Sequence, residues 1–329
     1  MTIINKKSIL IVFIISIVLI LFAKKIAPFL SLIDYPDKNL KSHIKPIPST
    51  GGLSIIISIA IGIMLNIQSK ITNQHIVVML FLLGIFLLGI LDDRFNLKVF
   101  IRLLIQIVLV NILLIFIPPL SISGLFFLDF IISVTFCVAC INAMNILDIM
   151  DGLAGGVAFF AVLNCLIFLS NDAVFYIVIS ICTLVSLLSF LIFNFNPATI
   201  FMGDAGSTFL GGLIAILTLV VFQQATTIQE KFSYLFPVFV IFFELFFVVI
   251  MRTKKGLNPM IGSPDHLPLR IRKLGFSVKK TVLIVYFFAA VCCVLSIVLI
   301  YTEFPLVILS IFFVSLLFIG LRMSKIVMD

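Results

Sequence analysis

Apolar stretches near the length of a bilayer crossing recur along this chain, separated by short polar segments. A hydrocarbon core needs about 20 helical residues. Roughly eleven runs approach that length: 8–23, 51–67, 76–91, 103–120, 128–147, 153–169, 173–193, 207–222, 234–250, 281–301 and 304–321. No soluble domain of useful size fits between them. The pattern predicts an all-α integral membrane protein with about eleven transmembrane helices, forming one polytopic domain over residues 1–329. No small-residue cleavage site follows the first run, so it is expected to remain as a helix rather than leave as a signal.

Composition sharpens this picture. The chain is 63% hydrophobic and 11% charged, with a mean hydropathy of +1.36, which excludes a soluble globular domain. All but Lys6, Lys7, Lys70 and Lys231 of the 22 basic residues fall in the spaces on one side of the predicted helices. By the positive-inside rule that side is cytoplasmic, with the N-terminus outside and the C-terminus in the cytoplasm. The net charge of +8 then describes a basic cytoplasmic face suited to anionic headgroups or substrates. Nucleic acid is not an expected partner, because the basic residues are split among loops without an aromatic–basic module. The six cysteines all lie inside apolar runs. Cys137 and Cys140 form a lone C-x-x-C in mid-helix, which reads as small buried hydrophobes rather than a metal or redox site.

Candidate chemistry lies where the apolar runs break off. Asp92, Asp93, Asp148, Asp151 and Asp204 fall in three short segments, all on the predicted cytoplasmic side. Carboxylates at the edge of a hydrocarbon layer usually line a polar pocket or bind a partner. Their hard oxygens suit Mg²⁺ carrying phosphates on its other face. Adjacent aspartates on a helix point about 100° apart, so Asp92 and Asp93 serve different neighbours. A solvated helix end with Arg94 as counter-ion explains them equally well. Asn142, Asn145, Asp148 and Asp151 follow at intervals of three, which favours a helix end that tightens or unwinds, as Gly152, Gly155 and Gly156 permit. Two carboxylates and two amides in one mouth can bind a cation or a sugar, while Asp151 also suits an N-cap. In the third segment, glycines flank Asp204, Ser207 or Thr208 can cap the next helix, and that helix N-terminus is an anion site. Asn194 and Phe201 offer an amide and an aromatic face for a nucleobase, although core packing is an equal use of Phe201. Residues 34–52 form a turn-rich basic entry, and residues 251–280 carry Arg252, His266, Arg270, Arg272 and Lys273. Glu244, inside an apolar run, requires a polar partner from a neighbouring helix.

The segments NxxNxxDxxDGLAGG at 142–156, NFNPATIFMGDAGS at 194–207, LDDRFNLK at 91–98 and KPIPSTGG at 45–52 resemble the polyprenyl-phosphate N-acetylhexosamine-1-phosphate transferases. The likeness extends over nearly the whole chain, with the motifs in family order. It implies eleven membrane helices, Mg²⁺ (with Mn²⁺ as a substitute), a cytoplasmic UDP-sugar donor, a polyprenyl-phosphate acceptor and release of UMP. It also implies a bacterial inner-membrane location, with room for a homodimer. Under this resemblance Asp92 and Asp93 are the acidic pair acting on the lipid phosphate or metal, with Asp148 beside them as a catalytic carboxylate. Asp204 is the Mg²⁺ ligand, with Asn145 at the metal and nucleotide site. Asn142, Asp151, Asn194, Phe201 and Lys45 face the donor, with Phe201 stacking on uracil. His266 and Arg270 are what remains of the family's histidine-rich loop, with Arg270 near a phosphate. The chain departs from the family pattern at Asn96, where a third aspartate is frequent, and at Ile149, where glycine is usual. It departs again at PDHLPLR (264–270), where one histidine replaces several. The last departure argues against phospho-MurNAc-pentapeptide transfer. A cation-coupled transporter would place its acids near the bilayer midplane and repeat its halves, neither of which is seen here.

Overall fold

The computed structural model describes residues 6–35, 45–66 and 71–328. Residues 36–44 of the turn-rich segment 34–52, and Lys70, lie outside the described residues. Helices α1 (Lys6–Leu30), α2 (Gly51–Asn66), α3 (Asn73–Phe95), α4 (Val99–Phe116), α5 (Phe126–Leu147) and α6 (Leu153–Phe168) form the first half. They are followed by α7 (Val174–Asn194), α8 (Gly203–Phe222), α9 (Ile228–Leu235), α10 (Phe239–Lys254), α11 (Leu267–Lys273), α12 (Val278–Tyr301) and α13 (Pro305–Ser324). Two-residue strands β1 (Ile33–Asp34) and β2 (Ile47–Pro48) pair antiparallel before α2.

Every predicted apolar run falls on a helix, and the chain is an all-α, multi-pass membrane protein. Among the described residues nine helices are long and apolar enough to cross a membrane; α2 and α6 are shorter. One of the nine is Ile228–Lys254, in which α9 and α10 join through a 3-10 turn at Phe236–Val238. Pro237 lacks the N–H that a continuous α-helix would use there. This span begins earlier than the run at 234–250. Residues 228–233 carry Glu230 and Lys231, and hydropathy alone does not see the capping box in which Thr227 and Glu230 start the helix.

The helices are arranged around α8. In its apolar window 94% of residues are buried, against 11% in α13 and 22% in α1 and α4. The helix packs on α2, α3, α5, α6 and α9. Small residues let backbones approach within a membrane. A Cβ added to Gly89 of α3 would sit 2.4 Å from the Ala205 Cα. α13, by contrast, lies at the edge of the bundle, against α11 and α12 and against Phe236 and Phe239 through Phe312. Cys137 and Cys140 are free and fully buried in the core.

The end of the bundle opposite the five aspartates is stitched by short polar contacts. Asp129 accepts the backbone N–H groups of Ile122, Ser123 and Gly124. Lys231 donates to the Ser121 carbonyl.

Candidate active site

The site begins at the N-terminus of α8. Gly203 has φ +74°, a left-handed backbone, and a Cβ there would lie 2.7 Å from the Ser49 carbonyl oxygen. The turn aims the first free N–H groups of α8 at α3. Asp93 meets them: its Oδ1 accepts from the Asp204 N–H at 3.0 Å and its Oδ2 from the Ala205 N–H at 3.1 Å. A carboxylate is the natural partner of a helix N-terminus. The anion site expected at this terminus is therefore filled by the chain's own Asp93. Ser207 and Thr208 do not cap the helix, because both hydroxyls donate to the Asp204 carbonyl one turn back.

Asp92 points elsewhere, as the helical rotation requires. It is 6% exposed, accepts from the Leu97 N–H at 2.9 Å and pairs with Arg102 of α4. The Arg102 guanidinium also stands 3.8 Å from the Asp204 carboxylate. So the counter-ion of the pair is Arg102, not Arg94, whose guanidinium lies over the Phe95 ring. Asn96 ends α3 with φ +48°. Asparagine tolerates this left-handed geometry better than most residues.

The Asn/Asp ladder splits four ways. α5 stops at Leu147, and Asp148 and Gly152 (φ +81°) turn the chain into α6. Asn142 donates to Gln106 of α4 at 2.6 Å and does not reach the cavity. Asn145 donates to Ser207 at 3.2 Å and also contacts the Asp204 carboxyl. Asp148 faces the cavity. Asp151 is not an N-cap; its Oδ2 accepts from the Asn196 side chain and the Ala198 N–H. That bond ties the α5–α6 turn to the α7–α8 loop. Asn194 strengthens the tie, accepting from the Gly152 N–H and donating to the Ile200 carbonyl. The α7–α8 loop is held in turn by residues 48–52. The Phe201 N–H donates to Pro48, and the Gly51 and Gly52 N–H groups donate to Phe201 and Met202.

These segments enclose a cavity of about 520 Å³. One wall carries Asp93, Asp148, Asp151 and Asp204, with Asn194 and Phe201 beside them. Burial pushes the Asp148 carboxyl up to about 7, and the charges of Asp93 and Asp151 push the same way. The facing wall is the α10–α12 connection, including Ser263, Pro264, His266 and Arg272. His266 Nδ1 lies 3.0 Å from Glu244 Oε1, and the Leu267 N–H reaches both Glu244 oxygens. Glu244 thus finds its partner in the loop before α11 rather than on a neighbouring membrane helix. Arg270 is fully buried and does not line the cavity. Arg272, two positions along on the same short helix, does. Lys45 is exposed and outside the lining.

The sequence named Arg272 among the basic residues of the 251–280 loop without giving it a role, and did not single out Arg102. Arg102 carried the signal of a cation ten residues from Asp92, but that pairing depends on how α3 and α4 fold back on each other. Among the described residues no group of three or more His, Cys, Asp or Glu is arranged as a closed metal cage. Magnesium rarely uses such a cage: it takes one or two carboxylates and completes its shell with waters and substrate phosphates. Asp204, crowded by Asp92 and Asp93, fits that open donor set.

The glycosyl transferase family 4 model matches residues 75–222, the span from the start of α3 to the end of α8. The chain is 31% identical to the probable undecaprenyl-phosphate N-acetylglucosaminyl 1-phosphate transferase of Bacillus subtilis (strain 168), over 88% of this chain and 85% of that protein. It is 24% identical to the decaprenyl-phosphate N-acetylglucosaminephosphotransferase of Mycolicibacterium smegmatis, over 76% of this chain and 71% of that protein. It is also 24% identical to the undecaprenyl-phosphate alpha-N-acetylglucosaminyl 1-phosphate transferase of Escherichia coli (strain K12), over 89% of this chain and 83% of that protein. With Asp93, Asp148, Asp151 and Asp204 converging on one cavity and relatives aligned over most of its length, the chain belongs to glycosyl transferase family 4 and, within it, to the polyprenyl-phosphate N-acetylhexosamine-1-phosphate transferases.

Proposed function

We propose that the protein transfers an N-acetylhexosamine-1-phosphate, foremost N-acetylglucosamine-1-phosphate, from a UDP-sugar to polyprenyl phosphate. UMP leaves, and the lipid product starts a cell-envelope glycan. The observation that carries this reading is the cavity itself. Four carboxylates from helix ends face a loop wall bearing His266 and Arg272, in a chain whose relatives are named for this transfer. Those names favour an N-acetylglucosamine donor over phospho-MurNAc-pentapeptide. A transporter reading loses support because the acids gather at helix ends, not at mid-membrane. The Lys/Arg bias supports a cavity open to the cytoplasm of a bacterial inner membrane.

In the reaction an oxygen of the lipid phosphate bonds to the β-phosphorus of the UDP-sugar. The bond from that phosphorus to the bridging oxygen breaks, and the oxygen departs on UMP. Mg²⁺, or Mn²⁺ in its place, would be held at Asp204 and supplies charge neutralisation on the diphosphate. Asp93 fixes the first turn of α8 and with it the position of Asp204. Asp92 is held by Arg102, so neither member of the pair is free to act as a base. Asp148, poised near 7, is the group suited to take the remaining proton from the lipid phosphate. Phe201 offers its ring to the uracil at the edge held by Asn194 and Asp151.

The test is direct. Purified protein in detergent with Mg²⁺, undecaprenyl phosphate and a panel of UDP-N-acetylhexosamines is scored for UMP and for lipid-linked sugar. Release of UMP only when the lipid is present is expected. Absence of both products with every donor overturns the reading.

A further inference from the structure

Among the described residues a second charged cluster lies behind the loop wall, with Asp265 and Arg270 outside the cavity lining. Asp265 and Arg270 are both fully buried. Arg270 Nη2 donates to Asp265 Oδ1 at 2.9 Å, and Lys255 Nζ lies 2.7 Å from the same oxygen. Ser263 donates to the other carboxylate oxygen at 3.0 Å. Arg252 in turn donates to Ser263 and to the Pro259 carbonyl. Burial alone would push the Asp265 carboxyl up, but the bonds from Lys255 and Ser263 and the Arg270 charge outweigh it and leave it ionised. The second arm of Arg270 reaches a different element: Nη1 donates to the carbonyls of Met323 and Ile326 at the end of α13. Lys255 also reaches the Met328 carbonyl at 3.5 Å. The last carbonyls of a helix have no partner within it, and a cation there is favoured by the helix dipole.

The cluster has cavity-lining residues on both sides in sequence: Gly262, Ser263 and Pro264 before Asp265, and His266, Leu269 and Arg272 after it. We propose that the end of α13 is a structural part of the substrate cavity: through Arg270, Lys255 and Asp265 it pins the loop wall, making Arg270 a positioning residue for the nucleotide-sugar donor. The proposal rests on the transferase reading for the identity of that donor. The assignment to the donor follows from solubility. The loop wall is the polar, aqueous side of the cavity, where a water-soluble UDP-sugar binds. The prenyl chain of the acceptor keeps its phosphate on the bilayer side.

Two measurements on the full-length protein test this. In steady-state UMP release, Lys255→Met is expected to raise the donor KM roughly tenfold, and Arg270→Met on the order of a hundredfold, with kcat and the acceptor KM little changed. Arg270→Lys, which can keep Asp265 but not the carbonyls of α13, is expected to fall between wild type and Arg270→Met. Lys255 is partly exposed, so its variant reports on the wall even if the Arg270→Met protein fails to fold. The second measurement uses no substrate: amide hydrogen exchange across 257–273 is expected to accelerate in Lys255→Met and Arg270→Lys, with α8 unchanged. If the wild-type protein makes no UMP while the two variants show this exchange pattern, the transferase reading falls and the pin stands. Unchanged exchange in both variants overturns the pin. So does a loss confined to kcat, which would place Arg270 in the chemistry.

Discussion

The two walls of the cavity are held by different physics. The aspartate wall is built from helix ends, and its carboxylates are fixed by backbone. Asp93 sits on two N–H groups of α8, and Asp151 bridges two turns. Their positions follow from helices packed so closely that Gly89 has no room for a methyl group. The loop wall hangs on side-chain contacts: the Glu244–His266 hydrogen bond, and the ion pairs of Asp265 with Arg270 and Lys255. Buried ion pairs must offset a large desolvation penalty, and losing one partner leaves an uncompensated charge. The first wall therefore behaves as a rigid template for the reacting phosphates. The second behaves as an adjustable cover whose set point depends on charge pairing. Chemistry is expected to fail when the first is altered, and affinity when the second is.

The largest effect expected from that contrast is at Asp204. Asp204→Ala should lower kcat for UMP release by roughly a thousandfold, the scale of losing a main electrostatic contact in phosphoryl transfer. Full activity would remove Asp204 from the metal site. Next is Arg102→Gln, which removes the cation beside Asp92 and Asp204. It should reduce turnover by about 10²-fold while tightening Mn²⁺ binding, followed by electron paramagnetic resonance. Weaker Mn²⁺ binding would mean that Arg102 organises the carboxylates rather than competing for them. On the other wall, Glu244→Gln weakens the hold on His266. The donor KM should rise roughly tenfold with kcat nearly kept, and the reverse pattern would erase the distinction between the walls.

The smallest effect is a pH dependence. Asp148 is raised from 3.8 to about 7, so between those values the native chain binds more protons than the unfolded one. Its contribution to stability is fully present below 3.8, falls as pH rises towards 7, and is flat above. Thermal unfolding in metal-free detergent should show that slope, and Asp148→Asn should flatten it. If Asp148 takes the proton, kcat should rise through pH 7 in the wild type and lose that limb in the variant.

Much of the aspartate wall was legible in the sequence because its signals are local. Asp92, Asp93, Asp148, Asp151 and Asp204 stand where apolar periodicity stops, and helix geometry alone says that Asp92 and Asp93 diverge. What each one meets was not legible. The filling of the α8 N-terminus by Asp93 depends on α3 and α8 crossing at Gly89 and Ala205. The loss of Asn142 to Gln106 depends on α4 lying against α5. On the loop wall the motif pointed at Arg270, yet the short helix α11 turns Arg270 inward and Arg272 towards the cavity. A seven-residue helix in a polar loop leaves too little periodicity to show which of two arginines faces in.

The reach of Arg270 to Met323 and Ile326 also sets an order in time. Chains are made from the N-terminus, and their parts begin to fold as they emerge. Residues through Phe222 already contain α3, α5 and α8, so the aspartate wall exists as soon as α8 has entered the membrane among its neighbours. The facing wall is tied to α10 through Glu244 and His266 but lacks its second anchor until α13 has been synthesised, because the carbonyls that hold Arg270 belong to its last turn and the residues just beyond. A ribosome-bound nascent chain that has passed α8 thus carries the carboxylates before their cover is complete, and under the proposed pin the loop wall reaches its final position only with the last helix.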